Sequence, residues 1–203
     1  MCSPDESSMI YNHWRQDPDS FFIKEKLKED PEYLDKIKLF GFKNQAYRNY
    51  VDDVCANNKL RYIKILGGEP LLDKYLLKKL SEIPAEQKAK INLQIVTNGS
   101  MDLLEAKNYL GDFDEIQFTI SLEGVGQVQE YARHFSNWKQ IEKNILNFSK
   151  AYPKNLVIHY TLQTTTILGL QNLIDWLKKN NLFFSLGVCD RPKHLGFSSL
   201  PNV

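Results

Sequence analysis

Cysteine is scarce in this chain: three in 203 residues, at positions 2, 55 and 189. An odd number spread so widely makes no disulfide framework, and no His/Cys/Asp spacing suggests a zinc site. Long apolar runs are missing too. None approaches the ~20 residues a membrane-spanning helix needs, and the opening stretch MCSPDESSMIYNHW has no signal-peptide core. Charge of one sign is also lacking: a formal net charge of +1 gives neither a nucleic-acid footprint nor an acidic tail. There is no internal repeat and no low-complexity segment. These absences leave a cytoplasmic globular protein as the default, with neither nucleic acid nor membrane among its expected partners. A length of 203 residues, 42% hydrophobic and 25% charged, fits one domain over 1–203.

What is present is organised around Arg61–Leu80, RYIKILGGEPLLDKYLLKKL. Tyr62, Ile63, Ile65 and Leu66 have the apolar, β-branched character of a buried parallel strand. The chain then turns on Gly67-Gly68, passes Glu69-Pro70 and enters a 3.6-period helix with Leu71, Leu72, Leu76, Leu77 and Leu80 on its apolar side. Pro70 suits a first helical turn, where its missing N–H would have no partner and its φ is already helical. The two glycines let the backbone approach a ligand. Glu69 adds a fixed negative charge suited to an ammonium rather than a phosphate. The same four residues also fit a plain βα turn, its acid favoured by the helix macrodipole.

The rest of the chain repeats this arrangement. Ser7 to Arg15 has weak helical character, Pro31 to Phe42 is charged and amphipathic, and Gln45 to Asn57 is a predicted helix carrying Cys55 as a small hydrophobe. Strands follow at Ile91–Thr97, Glu115–Leu122, Leu156–Gln163 and Phe183–Val188. Helices are predicted from Met101 to Leu110, Trp138 to Tyr152 and Leu170 to Lys179, with a polar loop holding Arg133 and His134. Such alternation means βαβ units and a parallel α/β sheet, either a full or partial barrel or an open doubly wound sheet. Each strand ends on a polar cluster: GGE, TNG, SLEG, QTTT and CDRP. In one parallel sheet all five face a common site at the carboxyl edge.

On the residues GGEP at Gly67–Pro70, TNG at Thr97–Gly99, SLEGVGQVQEYARHFSNWKQIEKNI at Ser121–Ile145 and the opening MCSPDESSM, the chain resembles the radical SAM superfamily, in its SPASM/twitch-type branch. The resemblance covers essentially the whole chain and implies a partial (β/α)6 TIM-type barrel. It implies reductive cleavage of S-adenosylmethionine at a [4Fe–4S] cluster, giving a 5′-deoxyadenosyl radical that abstracts hydrogen from a peptide or small-molecule substrate. A reducing partner such as a flavodoxin or ferredoxin comes with that chemistry. Met1-Cys2-Ser3-Pro4 matches the end of the family's CxxxCxxC loop, which makes Cys2 the third cluster ligand. The first two cysteines and the first strand would then lie upstream of Met1, and neither Cys55 nor Cys189 has the spacing to replace them. The expectation is therefore a piece of a longer enzyme, inactive as it stands. The alternative is a degenerate, cluster-less barrel serving as a binding module, and a third reading is an unrelated α/β enzyme using Glu69 and Glu123 in general acid–base work.

Carried over residue by residue, the resemblance makes Gly67, Gly68 and Glu69 the site for the cofactor's amino group, with Pro70 fixing the turn. Ser121 and Glu123 become neighbours of its ribose or sulfonium. Arg133 would meet its carboxylate through a bidentate fork. Asn98 is a substrate-side or supporting group, and the Cys189–Pro192 strand end lies near the adenine. Local readings stand beside these. Asn98-Gly99 is a favoured turn pair, Ser121 can bond local backbone, and Arg133 and His134 can be solvated loop residues. His159, in the fourth strand, is expected as a satisfied core or barrel-interior residue.

Overall fold

Apolar side chains at every second position give the strands one buried face, and they stack in register across the sheet. The computed structural model describes residues 24, 27–33, 45–189 and 195–196, and the chain divides into two units, residues 1–54 and 55–203. In the first unit residues 27–29 are helical. Most of helix α1 (Gln45–Ala56), with Val51 buried, also belongs to it. The Ser7–Arg15 segment and residues 34–42 lie outside the described residues.

The second unit holds a five-stranded sheet in the order β1-β2-β3-β4-β5. The strands are β1 (Tyr62–Ile65), β2 (Asn92–Thr97), β3 (Glu115–Leu122), β4 (Leu156–Leu162) and β5 (Phe183–Val188), each parallel to the next. Strands that neighbour in chain order wind in one direction only, as in a barrel or part of one. A doubly wound sheet would reverse its order partway, so the open choice between the two is settled. Helices α2 (Lys74–Glu82), α3 (Ala85–Lys88), α4 (Leu103–Leu110), α5 (Gln127–Ala132), α6 (Trp138–Ala151) and α7 (Leu170–Lys179) connect them.

The helix-side face carries Ile63, Leu93, Ile95, Ile116, Phe118, Ile120, Leu122, Leu156, Ile158 and Tyr160, all buried. Against it pack Leu80 of α2, Leu103 and Leu110 of α4, Ile141, Ile145 and Phe148 of α6, and Leu173 and Leu177 of α7. Phe118 meets Phe148 edge-on with ring centroids 5.0 Å apart. The opposite face is polar. Tyr62 Oη donates to Gln94 Oε1 at 2.5 Å, and Gln94 Nε2 donates to Gln117 and to Thr119 Oγ1 at 3.1 and 3.0 Å. In the next row His159 Nδ1 lies 2.8 Å from Ser185 Oγ.

Three local expectations are corrected. Residues 70–80 do not form one helix: Pro70–Leu72 is a 3₁₀ turn, and Asp73 then caps α2 by accepting from the Tyr75 and Leu76 N–H groups at 3.0 Å. Leu72 therefore leaves the apolar side and is 54% exposed. The helix expected from Met101 begins at Leu103, with Asp102 as its cap, accepting from the Leu104 and Glu105 N–H groups. The polar loop after β3 contains a short helix, α5.

Candidate functional site

The four parallel pairings put all five strand ends on one edge of the sheet, so the first four polar clusters share an edge, and of the fifth only Cys189 is among the described residues. Glu69 ties the first two together. Its Oε1 accepts from Thr97 Oγ1 at 2.6 Å and from the Leu71 N–H at 3.2 Å. Its Oε2 accepts from the Asn98 N–H at 2.8 Å. A carboxylate has about four acceptor directions, so these three contacts aim Glu69 and leave it able to accept once more. Gly67 supplies the turn before it with φ 129°, a conformation that L side chains rarely adopt, although a Cβ there would meet nothing within 4 Å. Gly68 is exposed, and Pro70 is buried at the start of the 3₁₀ turn.

Asn98 enters through its backbone. Its side chain accepts from the Ser100 N–H at 2.8 Å, an Asx turn. Gly99 then needs both its φ of 75° and its bareness, because a Cβ would lie 3.0 Å from Ile120 Cγ2 and 3.3 Å from Ile141 Cγ2. Buried Asn144 of α6 holds the same loop, donating to the Gly99 and Met101 carbonyls at 2.9 and 2.8 Å.

At the end of β3, Ser121 stands on the polar face beside its register partner His159. Two residues on, Glu123 and Arg133 form a bidentate pair. Arg133 Nε donates to Oε2, and Nη2 donates to Oε1 at 2.9 Å. The side chains are 14% exposed for Glu123 and 34% for Arg133, so solvent screens this pair less than a surface bridge. The structure thus brings Glu123 to Arg133 itself. His134 is exposed, its ring tilted 51° to that of Phe135 with centroids 3.9 Å apart.

Cys2 and residues 190–194 lie outside the described residues. Cys55 packs against the hydrophobic core, and Cys189 is buried with its N–H on the Leu162 carbonyl at 2.8 Å. Among the described residues no three His, Cys, Asp or Glu side chains converge as a metal site, and no helix is long and apolar enough to cross a membrane. A cavity of about 100 Å³ lies at the amino ends of β1–β3, lined by Tyr62, Asn92, Gln94, Glu115 and Gln117 among others, on the edge opposite Glu69.

Sequence reasoning named Glu69 but missed the part played by Thr97 and Asn144, and it missed Gln129, whose Oε1 accepts the Glu123 N–H at 2.8 Å. The TNG landmark was a signal for Thr97. Nothing local marks Asn144, which acts on a distant loop, whereas Gln129 acts within the SLEGVGQVQ stretch itself.

No protein-family model matches the chain, and no curated protein matches it. Solved structures do. Polyhistidine-tagged anSMEcpe with bound AdoMet superposes with a TM-score of 0.58 at 15% identity, over 80% of this chain and 47% of that one. Native anSMEcpe with bound AdoMet and Cp18Cys peptide gives 0.54 at 16%, over 72% and 43%. A radical SAM methyltransferase from Sphaerobacter thermophilus gives 0.49 at 12%, over 70% and 44%, too low to add weight. The chain therefore spans less than half the length of the structures it matches. At this identity the likeness establishes the architecture alone: over most of its length the chain shares the parallel α/β fold of anSMEcpe.

Proposed function

We propose that this chain is the S-adenosylmethionine-binding barrel of a radical SAM enzyme, of the SPASM/twitch branch, that abstracts hydrogen from a peptide or small-molecule substrate. The observation that carries the reading is the aimed carboxylate of Glu69 at the carboxyl edge, held by Thr97 and Asn98. Such a carboxylate receives an ammonium through a charge-assisted hydrogen bond. The bare Gly67-Gly68 backbone lets the ligand approach it. Across the edge, Arg133, oriented by Glu123 through its Nε and Nη2, offers its guanidinium to the ligand carboxylate, and Ser121 is the neighbour assigned to the ribose. When bound, the cofactor supplies the hydrogen-abstracting power; the chain orients it and keeps water out. AdoMet bound to anSMEcpe, a protein of the same fold, supports the assignment, and a reducing partner such as a flavodoxin or ferredoxin and a cytoplasmic setting belong to the same proposal.

The described residues do not fit a [4Fe–4S] cluster. Cys55 is packed in apolar surroundings and Cys189 is buried, whereas a cluster takes several converging thiolates. Cys2, the ligand the resemblance names, lies outside the described residues; the second reading is a cluster-less barrel that binds a ligand or a protein.

Equilibrium dialysis with S-adenosylmethionine tests the site. Glu69→Gln keeps the side chain's size and removes its charge, so affinity should fall roughly ten- to hundred-fold, the worth of a charge-assisted hydrogen bond. Undiminished affinity in that variant would remove Glu69 from the site. A folded wild-type chain that takes up no S-adenosylmethionine would favour the binding module.

A further inference from the structure

Helix α5 is six residues long, and three consecutive side chains tie it down. Val128 fills a socket between two glycines: a Cβ on Gly124 would lie 2.5 Å from Val128 Cγ1, and one on Gly169 would lie 3.0 Å from it. Gly124 follows β3 and Gly169 closes the 3₁₀ turn after β4 (Ile167–Gly169), so the socket joins two neighbouring strand ends. Glu130 accepts the Trp138 N–H at 2.9 Å, at the start of α6.

Gln129, between them, is 0% exposed and touches both members of the ion pair through their backbones. Its side-chain Oε1 accepts the Glu123 N–H at 2.8 Å. Its main-chain carbonyl accepts the Arg133 N–H at 2.9 Å. The atom facing the Glu123 N–H must be an acceptor, which fixes the amide's orientation. Nε2 then points away, buried and with no partner among the described residues. A buried donor in that state costs free energy, and a methionine would fill the same space without it. The amide's contribution therefore lies in its grip on Glu123, not in packing.

We infer that Gln129 is a positioning residue: it sets the Glu123–Arg133 pair at the end of β3 in the geometry that receives the carboxylate end of S-adenosylmethionine. The inference rests on the cofactor site proposed above and adds to it a residue that touches neither cofactor nor substrate.

Two measurements on the whole chain test it. The first is exchange of the Arg133 Nε–H with solvent, followed by NMR without ligand. In Gln129→Met the exchange should become several-fold faster, because the Glu123 N–H loses the acceptor that holds it. Unchanged exchange overturns the inference. The second is S-adenosylmethionine affinity in a double-mutant cycle, because a residue acting through Arg133 is not additive with it. Gln129→Met should lose roughly ten-fold in affinity in the wild-type background and nothing further beside Arg133→Met. Equal losses in both backgrounds would show that Gln129 acts only on the fold, which also overturns the inference. If the wild type binds no S-adenosylmethionine, the cofactor reading fails, while the exchange result still decides the positioning of the pair. Gln129→Asn, one methylene too short to reach Glu123, replaces Gln129→Met should the latter not fold.

Discussion

Glu69 makes three hydrogen bonds whose donors come from two strand-end loops, and the hydroxyl of Thr97 is the shortest of them at 2.6 Å. Thr97 is 2% exposed, so its loss has no solvent compensation. Thr97→Val keeps the shape and removes the donor, and the chain should lose about 1.5–3 kcal/mol of stability, the range for a hydrogen bond to a charged group. Urea denaturation measures this; a variant as stable as wild type would mean the contact contributes nothing. Lys88 gives a residue-scale prediction of a different kind. Its Nζ donates to the carbonyls of Ser81 and Leu110, in the last turns of α2 and α4, at 2.8 and 2.7 Å. Burial holds its pKa below the usual 10.5, an effect partly offset by Asp112. With the folded value lowered, the unfolded chain binds the proton more tightly in the window that ends at 10.5. Stability must then rise with pH through that window. The neutral amine still has two N–H groups for two carbonyls. The urea midpoint of wild type relative to Lys88→Met should therefore climb as pH approaches 10.5, and a falling difference would contradict the burial argument.

Elements meet the site through their ends. β1 and β2 deliver Glu69 and Thr97 from strand termini, and α6 reaches over with Asn144. Helix α5 depends on a close approach that only a glycine permits at position 124. A Cβ there would stand 2.5 and 2.9 Å from the Val128 side chain, so Gly124→Ala must displace α5 or strain it. The expected loss is about 1–3 kcal/mol, typical of overpacking. Gly124→Ala combined with Val128→Ala should recover part of it, because the 2.5 Å clash with Cγ1 is removed while the 2.9 Å one with Cβ stays. If the double variant is no more stable than Gly124→Ala alone, the socket is not the cause.

Across the whole molecule the sheet has two edges among the described residues, β1 and β5. The β5 edge is apolar on both faces: Phe183, Phe184, Leu186 and Val188 are 62, 53, 54 and 62% exposed. A row of exposed apolar side chains on an edge strand templates strand pairing between chains. The chain at high concentration should self-associate reversibly, and Leu186→Lys should suppress this while leaving the core intact. Sedimentation of the two proteins over a concentration series decides it, and a wild type that stays monomeric throughout refutes the claim.

The amino-acid sequence by itself determined most of the elements and the polar character of the strand ends that the parallel sheet brings to one edge. Alternating apolar residues in Glu115–Leu122, the glycine turn before Glu69 and the spacing of leucines and isoleucines in α6 are local properties, set by backbone sterics and side-chain period. They survive whatever the neighbours are, which is why β3, β5 and α7 fall at their expected bounds. Tertiary structure decided everything that needs a partner. Asp73 can cap a new helix only where the backbone before it has left the helical path, and so the leucine pattern alone ran through it. The choice of one-way winding over a doubly wound sheet, the bond from Thr97 to Glu69 across 28 residues, and the pairing of Glu123 with Arg133 all depend on which strand ends become neighbours. Hydrogen bonds and ion pairs are short-ranged and directional, so their partners are set by register and strand order, which a periodicity does not contain.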